Sequence, residues 1–341
     1  MKALYITAPG QYGLIDRPTP TPALDEALVK VAKASICHTD VIILAGAPHA
    51  RYPVIPGHEF SGIVEECGPA VKHIQPGDRV GVHTILGCGQ CPACGRGDHL
   101  ACAHYDELGS RRDGGFAEYC TVPARHLHKL PDHVTLEEAA MLEPLANANS
   151  IIRQAEVKWG ERVVVIGPGP IGLMAVGVAR WLNPSVLALV GTRDNRLALG
   201  PSLGATHTVN ITESGAAERL KEDILGGKGA DVVVECAGTP DALRLAFSIV
   251  GWRGRIAIEG AFDEHAQFPI EPYFFLARAM TLKGINGWLT PDFLRGLDMV
   301  SAGQIDVKPI ITHTLPLAEW EAAFDWVTRR KSEAIKVQIA P

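Results

Sequence analysis

No apolar run in this sequence is long enough to span a bilayer, and it contains neither internal repeats nor low-complexity segments. The net charge of −6 offers no basic field to nucleic acid or to an anionic lipid surface. At the start, Met1-Lys2-Ala3-Leu4-Tyr5-Ile6 meets Pro9-Gly10 before the core of a signal peptide could form. The expectation is a cytoplasmic chain with no membrane and no nucleic-acid partner. Thiols stay reduced in that compartment, so the eight cysteines point to metal rather than to disulfides.

What is present fits a globular enzyme. A chain of 341 residues is long for one hydrophobic core, which makes two domains the default, and 47% hydrophobic with 21% charged residues is the balance of a soluble protein. Residues 1–130 read as short strands cut by Gly and Pro, among them Ala27 to Ala34, Gly62 to Glu66 and Arg79 to His83. No long helical period occurs there, so this half is expected to be a compact, irregular β domain. The first helix is expected at Thr135-Leu136-Glu137-Glu138, which has capping-box spacing, with Pro144 interrupting it. From about residue 160 the pattern changes. Arg162–Ile166, Val186–Val190, Asp231–Glu235, Arg255–Ile258 and Met280–Lys283 are apolar runs with helix-like segments between most of them, which predicts a doubly wound parallel sheet. The last run, Ile335–Ile339, reads as an edge strand.

Cys88, Cys91, Cys94 and Cys102 are spaced C-x2-C-x2-C-x7-C among Gly87, Gly89, Gly95 and Gly97. Tetrahedral zinc wants four thiolates from a short segment, and the glycines allow its tight turns. With all four positions filled by protein, this is a structural zinc site. An iron–sulfur cluster is the rival, but the fourth cysteine is at the wrong spacing and no proline follows it.

A catalytic zinc takes three protein ligands and keeps one position open. Cys37 can supply a thiolate and His58 an imidazole, with Glu59 or Glu143 as the third, and Thr39 places a hydroxyl two residues after the cysteine. Farther on, Gly167-Pro168-Gly169-Pro170-Ile171-Gly172 follows a predicted strand and opens a helix. That is the context of a dinucleotide turn. Gly167 permits the turn, Gly169 lets a pyrophosphate approach, Gly172 lets helix and strand pack, and the helix start faces the phosphates.

Together these residues resemble one family. Cys37-x-Thr39-Asp40, Gly57-His58-Glu59-Phe60-Ser61-Gly62, the cysteine loop, Gly114-Gly115-Phe116-Ala117-Glu118-Tyr119 and the dinucleotide turn occur in the order of zinc-dependent medium-chain alcohol dehydrogenases. The resemblance implies an α/β Rossmann domain at 151–288 and a GroES-like, mainly β catalytic domain at 1–150. The segment 289–341 would complete the catalytic domain, and the active site would lie in the cleft between the two domains. It also implies one catalytic and one structural zinc, an alcohol or ketone substrate, and a homodimer or homotetramer. Met141-Leu142-Glu143-Pro144-Leu145-Ala146 is similar to the sorbitol and polyol dehydrogenase branch. There the glutamate binds zinc directly or through water, and the one after the histidine exchanges into the shell, so Glu143 and Glu59 stand as alternates.

Where many relatives relay the proton to a histidine, this chain has Ile42, and the relay would leave Thr39 through ribose hydroxyls or water. Ile42, His49, Trp288 and Phe116 are candidates for the substrate pocket. The cofactor choice turns on the end of the second strand. NAD binders carry Asp or Glu there, and here the position falls on Gly191. Thr192, Arg193 and Arg196 can instead donate to a 2′-phosphate, while Asp194 is expected to cap the next helix. NADP is therefore favoured over NAD. The expected activity is NADP(H)-linked interconversion of a secondary alcohol or polyol and its ketone. The alternatives are an NAD-linked polyol or L-threonine 3-dehydrogenase, and a zinc-independent quinone or enoyl reductase.

Overall fold

The computed structural model describes residues 1–263, 265–330 and 333–341. They form two compact units, Met1–Ala146 with Trp288–Pro341, and Asn147–Gly287. Trp288, expected at the end of the cofactor domain, belongs to the first unit, where its indole is buried against Glu143. No helix among the described residues is long and apolar enough to cross a membrane.

The second unit is built on a six-stranded parallel sheet in the order His207–Asn210, Val186–Gly191, Arg162–Ile166, Ala230–Glu235, Val250–Ile258, Thr281–Gly284. Starting in the middle and reversing direction once is the Rossmann order. Val163, Val164 and Val165 are fully buried, as a strand covered on both faces requires. The strand His207–Asn210 is not evident in the sequence, because it is short, polar and at the sheet edge.

The first unit holds a seven-stranded sheet. Ile311–Pro316, Lys336–Ala340, Glu26–Ser35, Glu59–Cys67, Arg79–Val82 and Leu127–Lys129 follow one another, and Tyr119–Pro123 adds to Glu26–Ser35. Its core gathers Leu4, Ile6, Phe60, Phe116, Val337 and Ile339.

Three local expectations are corrected. The last strand is not an edge, since it lies between Ile311–Pro316 and Glu26–Ser35 with Lys336 and Gln338 buried. Its polar residues pair inside the protein, Lys336 with Glu59 and Gln338 with Ser35. The β half also contains a helix, His38–Ala45, whose Val41-Ile42-Ile43 run reads as strand in isolation. The Asp40 carboxylate, accepting from the Cys37 N–H at 2.8 Å, sets it as a helix start. Finally, Thr135 does form the capping box, but the helix it opens ends at Ala139, and Pro144 falls in the first turn of Leu142–Gln154. A first-turn N–H has no partner within the helix, so proline costs nothing there.

Candidate active site

Three strand ends bring the candidate metal ligands together. Ser35 ends one strand and pairs with Glu59, which begins the next, while Gln338 pairs with Ser35 from the other side. The chain therefore places Cys37, two residues past Ser35, beside His58 and Glu59, and Lys336, two residues before Gln338, near Glu59 and Cys37. Cys37, His58 and Glu59 each contribute one ligand atom, and these atoms lie within 4.8 Å of one another. Glu143 does not join that group. It is buried and accepts a hydrogen bond from Trp288 Nε1 at 2.8 Å. Burial pushes its carboxyl up to about 7, with the nearby Glu59 acting the same way against the opposing pull of His58, Trp288 and Lys336.

Asp40, fully buried, organises the site although the sequence marks it only as part of a motif. One oxygen accepts from Cys37 N–H, and the other accepts from Gly57 N–H at 3.1 Å and stands 3.4 Å from His58 Nδ1. That engages Nδ1 and leaves Nε2 for a ligand role. Burial would depress the His58 pKa, but the Asp40 and Cys37 charges more than reverse this and raise it well above the ordinary histidine range. Gly57 has φ of 95°, and a side chain there would collide with Phe116, whose ring atoms lie 2.8 Å from the modest space a Cβ would need. Phe116 is therefore fully buried against Gly57, and Trp288, only 2% exposed, is likewise interior.

Lys336 is the functional residue that sequence reasoning missed. Its Nζ is 2.7 Å and 2.5 Å from the two oxygens of Glu59, and both side chains are buried. Burial acts to lower the lysine pKa, but Glu59 and Cys37 outweigh it and raise it, so the ammonium is charged. Thr39 is half-buried, with Oγ1 3.5 Å from Cys37 Sγ. Ile42 is 39% exposed and carries no titratable group. The donor set, a thiol, an imidazole and a buried carboxylate, fits a divalent cation of the zinc type.

The four loop cysteines also converge. Sulfur–sulfur distances are 3.9 Å for Cys88–Cys94, 3.5 Å for Cys91–Cys94 and 3.8 Å for Cys91–Cys102. Four thiolates at zinc–sulfur distances of about 2.3 Å in a tetrahedron lie about 3.8 Å apart. A disulfide would need about 2.05 Å. Backbone N–H groups face the sulfurs, from Cys94 to Cys91 and from Cys88 and His104 to Cys102. The Gln90 N–H holds the Cys88 thiol down at about 6, whereas burial and the neighbouring cysteines push Cys94 up to about 11. Four thiolates this close need a cation among them, and a single metal at their centre fits.

In the second unit, Gly167 has φ of 103°, and a side chain there would meet the Ala237 nitrogen at 2.7 Å. A Cβ on Gly172 would sit 2.0 Å from the Gly167 carbonyl oxygen, so strand and helix pack through it. Beside Gly169, by contrast, the space is open, with nothing within 4 Å. Gly169 caps the helix Pro170–Ala179 and Pro170 is its first residue, so the N–H groups of Ile171 and Gly172 face a region an anion could enter. Gly191 ends the second strand, and a side chain there would collide with Pro168 at 2.3 Å. Glycine is thus required by the turn itself. Arg193 precedes the helix Asp194–Leu197, and burial together with the Arg193 charge pulls Arg196 down to about 10. Asp194 is the first helical residue rather than its cap, and its carboxylate accepts from Asn210 Nδ2 at 2.7 Å.

A Rossmann unit and a β unit bearing a cysteine–histidine–carboxylate site define a nicotinamide-linked metalloenzyme. Residues 23–132 match the alcohol dehydrogenase GroES-like domain and residues 170–302 the zinc-binding dehydrogenase domain. The chain is 35% identical to an L-threonine 3-dehydrogenase of Bacillus velezensis and 33% identical to a sorbitol dehydrogenase of Halalkalibacterium halodurans, covering 100% of this chain and 99% of each relative. A zinc-binding dehydrogenase of Sinorhizobium meliloti, solved with NADP bound, superposes with a TM-score of 0.90 at 30% identity, over 100% of this chain and 99% of that one. The chain belongs to the zinc-dependent medium-chain alcohol dehydrogenase family and is an oxidoreductase.

Proposed function

We infer that the protein is a zinc-dependent, NADP(H)-linked dehydrogenase that interconverts a secondary alcohol or polyol and its ketone. The observation that carries this reading is the convergence of Cys37, His58 and Glu59 beside the half-buried Thr39 hydroxyl. When bound, zinc supplies a Lewis acid for the substrate oxygen and the nicotinamide supplies the hydride acceptor. Cys37 and His58 hold the metal, and Asp40 keeps His58 turned with Nε2 toward it. Glu59 is shared between the metal site and Lys336, which makes it an exchangeable ligand, and Glu143 is the alternate third ligand. Thr39 accepts the substrate hydroxyl proton and passes it on. With Ile42 next along the helix face, the onward route is water or ribose hydroxyl rather than a second side chain. The cysteine loop holds the second zinc.

Asp40→Asn is expected to weaken zinc binding about 10–100-fold, because it exchanges an acceptor oriented on two ligands for an amide. Competition with a chromophoric chelator measures this, and unchanged zinc affinity would remove Asp40 from the account. For the cofactor, the double variant Arg193→Ala/Arg196→Ala is expected to raise the KM for NADP about 100-fold or more and leave that for NAD nearly unchanged, since charged hydrogen bonds contribute about 1.5–3 kcal/mol each.

The test of the whole reading is a panel of secondary alcohols, polyols and L-threonine run with NADP and NAD side by side. Turnover of an alcohol or polyol with NADP supports it. Equal or better efficiency with NAD would overturn the cofactor assignment. The second reading, an NAD-linked polyol or L-threonine dehydrogenase, is favoured by the two relatives named above, and the same panel separates it. Zinc-free turnover of a quinone or enoyl substrate is the result that the third reading requires.

A further inference from the structure

A third convergence of ligands lies in the first unit, outside both sites described above. His83, His99 and His126 bring one ring nitrogen each to within 4.8 Å of the others. They come from separate segments: the end of the strand Arg79–Val82, the cysteine loop, and the turn Ala124–His126. His83 and His126 are buried and His99 is half-buried, which leaves an approach from the loop side. Trp288 and Phe293 pack on His83 at 4.4 and 5.5 Å between ring centres, walling the cluster with apolar surface.

Hydrogen bonds fix which nitrogen is bare in His99 and in His83. His99 Nδ1 is 3.2 Å from the Ile85 carbonyl, which can only accept, so Nδ1 carries the proton and Nε2 is bare. The Thr290 hydroxyl donates to the Gly97 carbonyl and is 3.2 Å from His83 Nε2, so it accepts from that nitrogen and leaves His83 Nδ1 bare. His126 Nδ1 then donates its proton to His83 Nδ1 at 3.1 Å, and His126 Nε2 is buried without a partner among the described residues, so an ion between the two Nδ1 atoms would replace this hydrogen bond and leave the His126 proton on Nε2. Two imidazoles on one tetrahedral zinc, each at about 2.0–2.1 Å, have nitrogens about 3.3 Å apart. Carbonyl and hydroxyl partners on the far nitrogen are the usual means of aiming a metal-binding histidine.

We propose that His83, His99 and His126 bind a divalent metal ion of the zinc type, a site separate from the catalytic position and from the four cysteines. Three nitrogens without a thiolate suit Zn2+, Co2+ or Cu2+ rather than Mg2+ or Ca2+. Burial holds His83 and His126 well below the ordinary histidine pKa, with neighbouring cationic groups adding to the effect, so both rings are neutral as ligands must be. The site also has a charge partner. A Cβ placed on Gly87 would lie 2.5 Å from Cys94 Sγ and 2.8 Å from His99, so the cysteine cluster and the histidine cluster are neighbours. Four thiolates around a divalent ion carry net −2, and three imidazoles around another carry +2. This charge argument rests on the cysteine-loop zinc proposed above, while the ligand geometry does not.

The 341-residue chain and its His126→Gln variant are to be equilibrated with Zn2+, freed of loose metal by gel filtration, and analysed for metal content. The wild type is expected to retain one zinc per chain more than the variant. His99→Gln, at a half-exposed position, should lose the same equivalent if His126→Gln does not fold. With Co2+ in place of Zn2+, the wild-type minus variant spectrum should show ligand-field bands without thiolate charge transfer. That separates this site from both cysteine-containing ones, whether or not any alcohol is turned over. Equal metal content in the wild type and the folded variant, with no thiolate-free difference spectrum, would show that the three rings are held by hydrogen bonds alone.

Discussion

Replacing Cys37 by serine is expected to lower turnover about 1000-fold or more while leaving NADP(H) affinity nearly intact. The thiolate is the one soft anionic ligand at the site, and its backbone N–H is the anchor by which Asp40 reaches His58. A hydroxyl at position 37 keeps the helix start but not the charge that retains the metal. Lewis-acid stabilisation contributes several kcal/mol, and about 4 kcal/mol corresponds to a factor near 1000. The cofactor turn belongs to the other unit, built by Gly167, Gly169 and Gly172, and nothing in the substitution touches it. Fluorescence titration with NADPH alongside steady-state kinetics separates the two effects. Full activity in a zinc-free Cys37→Ser protein would sink the assignment.

Cys94→Ser should act on stability before it acts on chemistry. The loop from Gly87 to Cys102 has only a four-residue helix, Pro92–Gly95, and few buried apolar residues, chiefly Ala93 and Cys102. Its order rests on the four converging sulfurs. Metal binding at such a site is folding free energy, so losing one ligand is expected to cost about 4 kcal/mol or more, a large effect for one substitution. A chemical or thermal unfolding curve reads it directly. An unchanged midpoint would count against a structural metal there. Turnover measured well below the new transition should fall far less than in Cys37→Ser.

The parts that the sequence makes legible are those whose signal is local. Arg162–Ile166 declares itself because a strand covered on both faces must be apolar throughout, and the turn after it has the glycines a nucleotide-binding loop needs. The cysteine spacing announces its own geometry. What stays hidden is what depends on strand order. Lys336 sits in a run that alternates like a solvent-facing edge strand, and only its insertion between two other strands places it on Glu59, 277 residues away in the chain. His83 and His126 are unremarkable separately, and their meeting follows from where the strand and turn end. Phe116 misleads for the opposite reason. It stands among the pocket candidates in the sequence, yet the absence of a side chain at Gly57 lets it fill the interior. At Gly191 the missing carboxylate reads as a cofactor preference, while the structure gives glycine a steric reason as well, because Pro168 occupies the room.

The central claim is that a zinc held by Cys37 and His58 performs the chemistry. Its most direct test is stepwise removal of metal with a chelator, following zinc content, NADPH binding and alcohol oxidation on the same samples. The account predicts that oxidation is lost in step with the catalytic-site zinc, that NADPH still binds, and that Zn2+ restores turnover. Undiminished oxidation in protein free of zinc at that site would contradict it.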